Sequence, residues 1–231
     1  MQRELLKFKQ VTSTQDVIRR LIKNKKEIAV FAYCQTKGRG RHKREWFSPA
    51  GGLYLSVLIF PERYINAIPL IACLTVIETL KNLNFNNLSI HWPNDVFLNT
   101  KKICGILCEK TDNAIICGIG LNVNIKKFPS RLSNATSLYI ETGRIHSIEK
   151  ILNLCLKHFW NFYETLQNDT FSITQAHQYI SGLGEPVEVK LSSRETIKGI
   201  IHSVDEDWSL LVRTNDGMIK RIYYGDVIRL I

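Results

Sequence analysis

The sequence predicts an α+β fold: a mixed, mainly antiparallel sheet backed by helices, followed by a small β-barrel. Three observations point there. Short β-type runs recur at close spacing between turn residues, long stretches keep a helical period, and beyond residues 181–184 only short alternating runs remain. In chain order, residues 4–11 read as a strand, after which Ser13 and Asp16 give an S-x-x-D start signal ahead of Val17, Ile18, Leu21 and Ile22. That signature marks a capped amphipathic helix. An apolar run at 28–34 suits a buried strand, residues 35–51 form a polar loop rich in Gly and Arg, and 53–60 is again a strand. A helical pattern covers 67–83, and strands follow at 89–92, 96–99, 104–110 and 114–123. Helical period returns at 148–166 and at 171–180. From Glu185 the runs 187–191, 197–204, 210–214 and 219–224, with Asn215-Asp216-Gly217 as a turn, predict a barrel of about five short strands. The expected division is residues 1–182 and 183–231.

Composition sets limits on function. With 45% hydrophobic and 23% charged residues the chain is an ordinary globular protein, which excludes disorder and collagen-like repeats. The apolar stretch 68–80 is shorter than the roughly 20 residues a bilayer span needs, so it predicts a buried helix and no membrane association. The start MQRELLKFKQ has no apolar signal region, so a cytoplasmic protein is expected. Its six cysteines form no C-x-x-C pair and sit mostly in apolar runs, which predicts reduced core thiols and no metal site. Lys and Arg number 31 against 21 Asp and Glu, a net charge of +10. That surplus admits nucleic acid, phosphorylated ligands or an acidic protein partner without choosing among them.

Three constellations could carry chemistry. In Gly38-Arg39-Gly40-Arg41, followed by Trp46, glycines let the backbone approach an anion while the guanidinium forks grip carboxylate or phosphate. A solvated hairpin tip is the competing reading of that loop. In His91-Trp92-Pro93-Asn94-Asp95, Pro93 ends a strand, which predicts Asn94 and Asp95 at a sheet edge with side chains free to enter a pocket. Downstream, Lys102 precedes the apolar run 103–107, which would hold its stem and aim its ammonium at the same place, where it could neutralise phosphoryl charge. A turn rich in Asn, Asp and Lys is the plainer alternative. In Gly118-Ile119-Gly120-Leu121-Asn122-Val123-Asn124, strand glycines suggest a close approach of ligand or backbone, and Asn122 offers a directional amide. A β-bulge would account for that pair of glycines as well.

Together, in this order, the three constellations resemble the catalytic domain of biotin-protein ligases. G-R-G-R-x-x-R-x-W runs from Gly38 to Trp46, and S-P-x-G-x-L-Y-x-S continues through Ser48, Pro49, Gly52, Leu53, Tyr54 and Ser56. W-P-N-D is Trp92 to Asp95, K-x-x-G-I-L-x-E is Lys102 to Glu109, and G-I-G-x-N-x-N is Gly118 to Asn124. The resemblance covers residues from about 13 to 138 and extends to the C-terminal barrel, for which it implies an SH3-like form beside a class II synthetase-like catalytic domain. It also implies the reaction: ATP activates biotin to biotinyl-5′-AMP, and the biotinyl group then passes to one lysine of an acceptor.

Residue by residue, the resemblance makes Ser13, Thr14, Gln15 and Gln35 polar contacts to the biotin head group, whose uncharged ureido ring still needs partners when buried. Ser13 also serves as helix cap in the same reading. Arg39, Gly40 and Arg41 would hold the biotin carboxylate and the phosphates, with Lys102 bridging carboxylate and α-phosphate as the leading catalytic group. Trp46, Asn94 and Asn122 would border the adenylate, and Asp95 would orient Lys102 or take a proton from the acceptor amine. Gly105 and Gly118 would let the biotin ring and chain lie against the sheet. Mg²⁺ is implied with ATP, held largely by phosphates.

The implied partner is the biotin carboxyl carrier domain of acetyl-CoA carboxylase or a related carboxylase. The chain begins almost at the catalytic domain, so a monofunctional enzyme without DNA binding is expected, as monomer or homodimer. His42 and Lys43 stand where the family often has Arg-Gly, and His91 where it often has Lys or Arg. Lipoate ligases and octanoyltransferases share the architecture, but their glycine- and histidine-containing loops are not found here. A non-enzymatic binding module would lack Lys102, Arg41 or Asn122, and all three are present.

Overall fold

Seven strands form the main sheet of the computed structural model, which describes residues 3–24, 26–111, 113–191 and 195–229. They are β1 (Glu4–Val11), β2 (Ile28–Gln35), β3 (Leu53–Ile59), β4 (Leu88–His91), β5 (Asp95–Leu98), β6 (Lys101–Lys110) and β7 (Ile115–Leu121). Their order across the sheet is β1-β2-β3-β7-β6-β5-β4. Only β1 and β2 pair in parallel among these strands, because helix α1 (Thr14–Leu21) crosses over between them; every other neighbour is antiparallel. The register sets Gly118 beside Ser56 on β3 and Leu107 on β6, and Gly120 beside Tyr54 and Gly105. The glycines therefore line up across the centre of one sheet face.

Helices cover both faces, where one backed side was expected. Helix α2 (Ile68–Lys81) is buried nearly all round, since it lies between the sheet and α4 (Ile148–Gln167). Helix α1 packs Ile18 on the opposite face with Ile28, Val30, Leu58 and Ile116 as a second, smaller core. Double coverage explains why all seven residues of β3 are buried and why the strand is a continuous apolar run. Helix α4 starts at Ser147, whose Oγ accepts from Lys150 N at 3.2 Å, and α3 (Leu138–Thr142), a short helix absent from the sequence reading, is capped the same way by Ser137.

The helix expected at 171–180 shrinks to the single turn α5 (Thr174–His177). Just after it the chain extends, and Ile90 N donates to Tyr179 O at 2.6 Å while Ile180 bridges to Ile90, so the open edge of β4 captures the segment. The remaining strands are β8 (Pro186–Lys190), β9 (Thr196–Val204), β10 (Leu210–Arg213), β11 (Ile219–Ile222) and β12 (Asp226–Arg229). They make a second, antiparallel sheet in the order β11-β10-β9-β8-β12, consistent with an SH3-like fold. Two tryptophans join it to the main sheet. Trp92 Nε1 donates to Trp208 O at 2.8 Å, and Trp208 Nε1 donates to Pro93 O at 2.9 Å.

The six cysteines are all free thiols: Cys73, Cys104, Cys117 and Cys155 are buried, and Cys34 and Cys108 are half-buried. Burial pushes the Cys73 and Cys104 thiols well above their ordinary range. Among the described residues no helix is long and apolar enough to cross a membrane, and no group of His, Cys, Asp and Glu is placed to hold a metal ion by itself.

Candidate active site

A cleft of about 310 Å³ opens on the α1 face of the sheet, within the size range of small-molecule sites. The start of α1 forms one wall, β3, β6 and β7 form the floor, and the Gly/Arg loop and the start of β12 close the far end. The residues to which the resemblance gave roles come together here: Ser13, Thr14, Gln15, Gln35, Arg39, Gly40, Arg41, Trp46, Asn94, Asp95, Lys102, Gly105, Gly118 and Asn122 line it, whereas Gly38, His42, Lys43 and His91 do not.

One end is neutral and tightly bonded. Thr14 N donates to Gln35 Oε1 at 2.8 Å, and Thr14 Oγ1 shares a 2.7 Å hydrogen bond with Ser56 Oγ. Gln35 Nε2 donates to Ser48 Oγ at 3.0 Å, and Gln15 Nε2 donates to Leu107 O at 2.9 Å. Gly118 makes room for that last contact: a Cβ there would stand 3.0 Å from Gln15 Nε2. Ser13, Thr14 and Gln15 are at most 4% exposed. Ser13 stands at the helix N-cap in extended backbone, yet its side chain makes no cap bond, so the expected cap is made by its carbonyl alone, which accepts from Asp16 and Val17. Beneath this end Tyr54 donates its hydroxyl to Pro49 O at 2.8 Å, and burial raises its pKa far above the phenol range.

The other end is charged. Lys102 Nζ donates to Asp95 Oδ2 at 2.6 Å and lies 5.4 Å from the Trp46 ring centroid. Asp95 is not at the sheet edge as expected. It opens β5 and is paired on both sides, with His91 and with Gly105, because the Trp92-Pro93-Asn94 turn places it at a strand end inside the sheet. Its Oδ1 is buried and has no partner among the described residues, as is Trp46 Nε1. The Trp46 indole lies on Gly105 and Gly120, whose missing side chains make room for the ring. Asn94 accepts from Arg41 Nη1 at 3.0 Å and donates to Ile106 O at 2.9 Å, while the buried Asn122 amide donates to Thr136 O at 3.0 Å.

Arg39 and Arg41 part company. Arg39 is engaged by Asp16 at 2.5 Å and Glu109 at 3.4 Å, and Glu109 is shared with Arg19 at 2.7 Å. Arg41 instead reaches across to the second sheet, where Nη2 donates to Gly225 O at 2.9 Å. The loop that bears them ends in a hairpin tip, closed by Gly40 N to Arg44 O at 2.8 Å and Trp46 N to Gly38 O at 3.0 Å. His42 and Lys43 have φ of 54° and 60°, a left-handed backbone that favours glycine. Ser48, Ser56 and Asp226 were missed as site residues. The two serines were within reach, since both fall inside the quoted S-P-x-G-x-L-Y-x-S match, whereas nothing near Asp226 in sequence marks it.

Comparison with known proteins places the chain in a family. Residues 7–125 match the biotin/lipoate A/B protein ligase family, and residues 182–230 match the biotin protein ligase C terminal domain. The bifunctional ligase/repressor BirA of Bacillus subtilis is 32% identical over 94% of this chain and 71% of its own length. The biotin-[acetyl-CoA-carboxylase] ligase of Paracoccus denitrificans is 28% identical over 80% of this chain and 83% of its own. Among solved structures, the biotin protein ligase of Aquifex aeolicus in complex with biotin and ATP superposes with a TM-score of 0.88 at 31% identity, covering 98% of this chain and 99% of that one. The chain belongs to the biotin/lipoate A/B protein ligase family. Family, relatives and structural neighbours together support the function of a biotin-protein ligase, an ATP-using enzyme.

Proposed function

We propose that the cleft runs two half-reactions in one place, with the division between residues 1–182 and 183–231 separating the catalytic domain from the barrel. In the first, a carboxylate oxygen of biotin attacks the α-phosphorus of ATP, the bond to the β-phosphate oxygen breaks, and pyrophosphate leaves with biotinyl-5′-AMP formed. In the second, a lysine amine of a biotin carboxyl carrier domain attacks the acyl carbon, the bond to AMP breaks, and the amine gives up its proton. Both steps bring anionic oxygens together or release one, so fixed positive charge at the junction lowers the barrier.

Lys102 carries this reading. Its ammonium stands at the charged end of the cleft, held by Asp95 at 2.6 Å. There it can donate to the biotin carboxylate and then to the α-phosphate. Asp95, next to it, is the group placed to accept the proton of the acceptor amine. Thr14, Gln15 and Gln35, with Ser13, suit the ureido head group, since neutral donors and acceptors exchange their mutual bonds for ligand bonds at little cost. Gly118 keeps that end open, and Gly105, Trp46, Asn94 and Asn122 line the adenylate end. Arg41 and the Gly40 backbone face the phosphates, whereas Arg39 acts through Asp16 and Glu109 as a tether for the loop. Mg²⁺ would be held largely by the nucleotide phosphates and would offset their charge. Asp95, with its unpartnered Oδ1, is the cleft carboxylate whose chemistry suits it. The free thiols fit a reducing cytoplasm.

The test is turnover. The purified protein is incubated with biotin, ATP and Mg²⁺, with and without a biotin carboxyl carrier domain from an acetyl-CoA carboxylase, and biotinyl-AMP and biotinylated lysine are followed by mass spectrometry. Both products are expected, and lipoate or octanoate in place of biotin should give none. Absence of the adenylate under every divalent ion would overturn the reading.

A further inference from the structure

The second sheet reaches into the cleft with one carboxylate. Asp226 is the first residue of β12, opposite Lys190 on β8, and its side chain lies on the cleft wall. Three cationic groups of the Gly/Arg loop converge on it: Arg41 Nη1 at 3.6 Å, His42 Nε2 at 3.3 Å when protonated, and Arg44 Nη2 at 3.8 Å. Next to it, Gly225 O accepts from Arg41 Nη2 at 2.9 Å. A side chain at 225 would put its Cβ 2.7 Å from Val189 Cγ1, so glycine there lets the chain entering β12 pack against β8 within the barrel. The tryptophan pair Trp92 and Trp208 fixes the barrel against the same turn that bears Asn94, the other partner of Arg41.

Gathering Arg41, Arg44 and, when protonated, His42 in one place costs repulsion unless an anion sits among them. Within the protein that anion is Asp226. We propose that Asp226 is a positioning residue that stands in for the polyphosphate of the substrate: it holds the loop cations together in the free enzyme and yields them when ATP arrives. The proposal rests on the ATP-using reading above and deepens it. Its energetic scale is that of partly exposed ion pairs, and it sets a competition between carboxylate and phosphate for the same guanidinium groups.

Competition has a signature that structural damage does not produce, namely a gain of affinity. Inorganic tripolyphosphate is titrated calorimetrically into the wild type, Asp226→Asn and, as a charge control on the barrel away from the cleft, Glu206→Gln. Asp226→Asn is expected to bind about two- to fivefold more tightly than either of the others. In the steady state its KM for ATP should fall by the same factor. Trypsin should cut after Lys43 or Arg44 faster in Asp226→Asn than in the wild type, and added tripolyphosphate should erase that difference. Asp226→Ser serves as the second variant if the amide does not fold. Binding by Asp226→Asn no tighter than by Glu206→Gln, or no binding by any of the three, would overturn the proposal. Failure of the wild type to make adenylate would instead strike the functional reading, because the tripolyphosphate titration is independent of turnover.

Discussion

The two ends of the cleft are built on opposite principles. The neutral end is made from the first turn of α1, the last residue of β2 and the middle of β3, and its polar atoms satisfy one another: Thr14 with Gln35 and Ser56, Gln35 with Ser48. The charged end is made from a hairpin tip, a strand-end turn and a piece of the second sheet, and its cations are held by carboxylates that a ligand must displace: Asp95 on Lys102, Asp226 near Arg41. Selective recognition of an uncharged ring needs a preformed frame, because a missing partner leaves a buried polar group unsatisfied. Handling phosphate needs charges that are present but exchangeable, and contacts between partly exposed ions are weak enough to exchange.

The comparison breaks most sharply at Lys102. Replacing it with Met removes the donor from the charged end and leaves the neutral end intact. Adenylate formation should fall by about 10²–10³-fold or more, the range for loss of one oxyanion-stabilising group, while biotin still binds. Measurement of both quantities on the same preparation separates the two ends. A smaller effect is expected at Gln35→Leu, which removes an acceptor for Thr14 and a donor to Ser48. Leaving these groups unpaired costs about 1–3 kcal/mol. Thermal denaturation should show a loss of about 2–10 °C for a chain of this size, with the biotin KM raised and the ATP KM little changed. An equal rise in both KM values would mean that the ends are not independent.

The hairpin tip supplies the smallest effect. Lys43 has φ 60°, a conformation that costs a non-glycine residue about 1 kcal/mol, while glycine adds about 0.5–1 kcal/mol of unfolded-state entropy. The two nearly cancel. Lys43→Gly should therefore shift Tm by no more than about 2 °C. A larger drop would show that the Lys43 side chain itself holds the tip.

How much of this was legible in the sequence follows the same division. Residues on a motif of fixed spacing were legible, Gly38 to Trp46 in one loop and Lys102 before an apolar run, whereas Ser13 to Gln15 and Gln35 came only through the resemblance to biotin-protein ligases. The sheet was legible too, since β3, β6 and β7 are apolar runs bounded by turn residues. Position across the sheet was not. Asp95 read as an edge residue because Pro93 ends a strand, yet β6 pairs with β5 on the side that a single sequence does not reveal. The helix expected at 171–180 gave way to pairing with β4, a tertiary gain that local period does not register. Asp226 was invisible for the same reason: its partners lie on a loop near the other end of the chain.

The most direct test of the two-ended cleft is a paired measurement on Lys102→Met. Biotin affinity is read by calorimetry, and biotinyl-AMP formation is read by mass spectrometry with ATP and Mg²⁺ present. Biotin affinity lowered by about tenfold, the loss of one charge-assisted bond to its carboxylate, with adenylate formation reduced by at least about 10²-fold beyond that, is the expected result. Adenylate formed at the wild-type rate, or biotin binding lost together with it, would contradict the account.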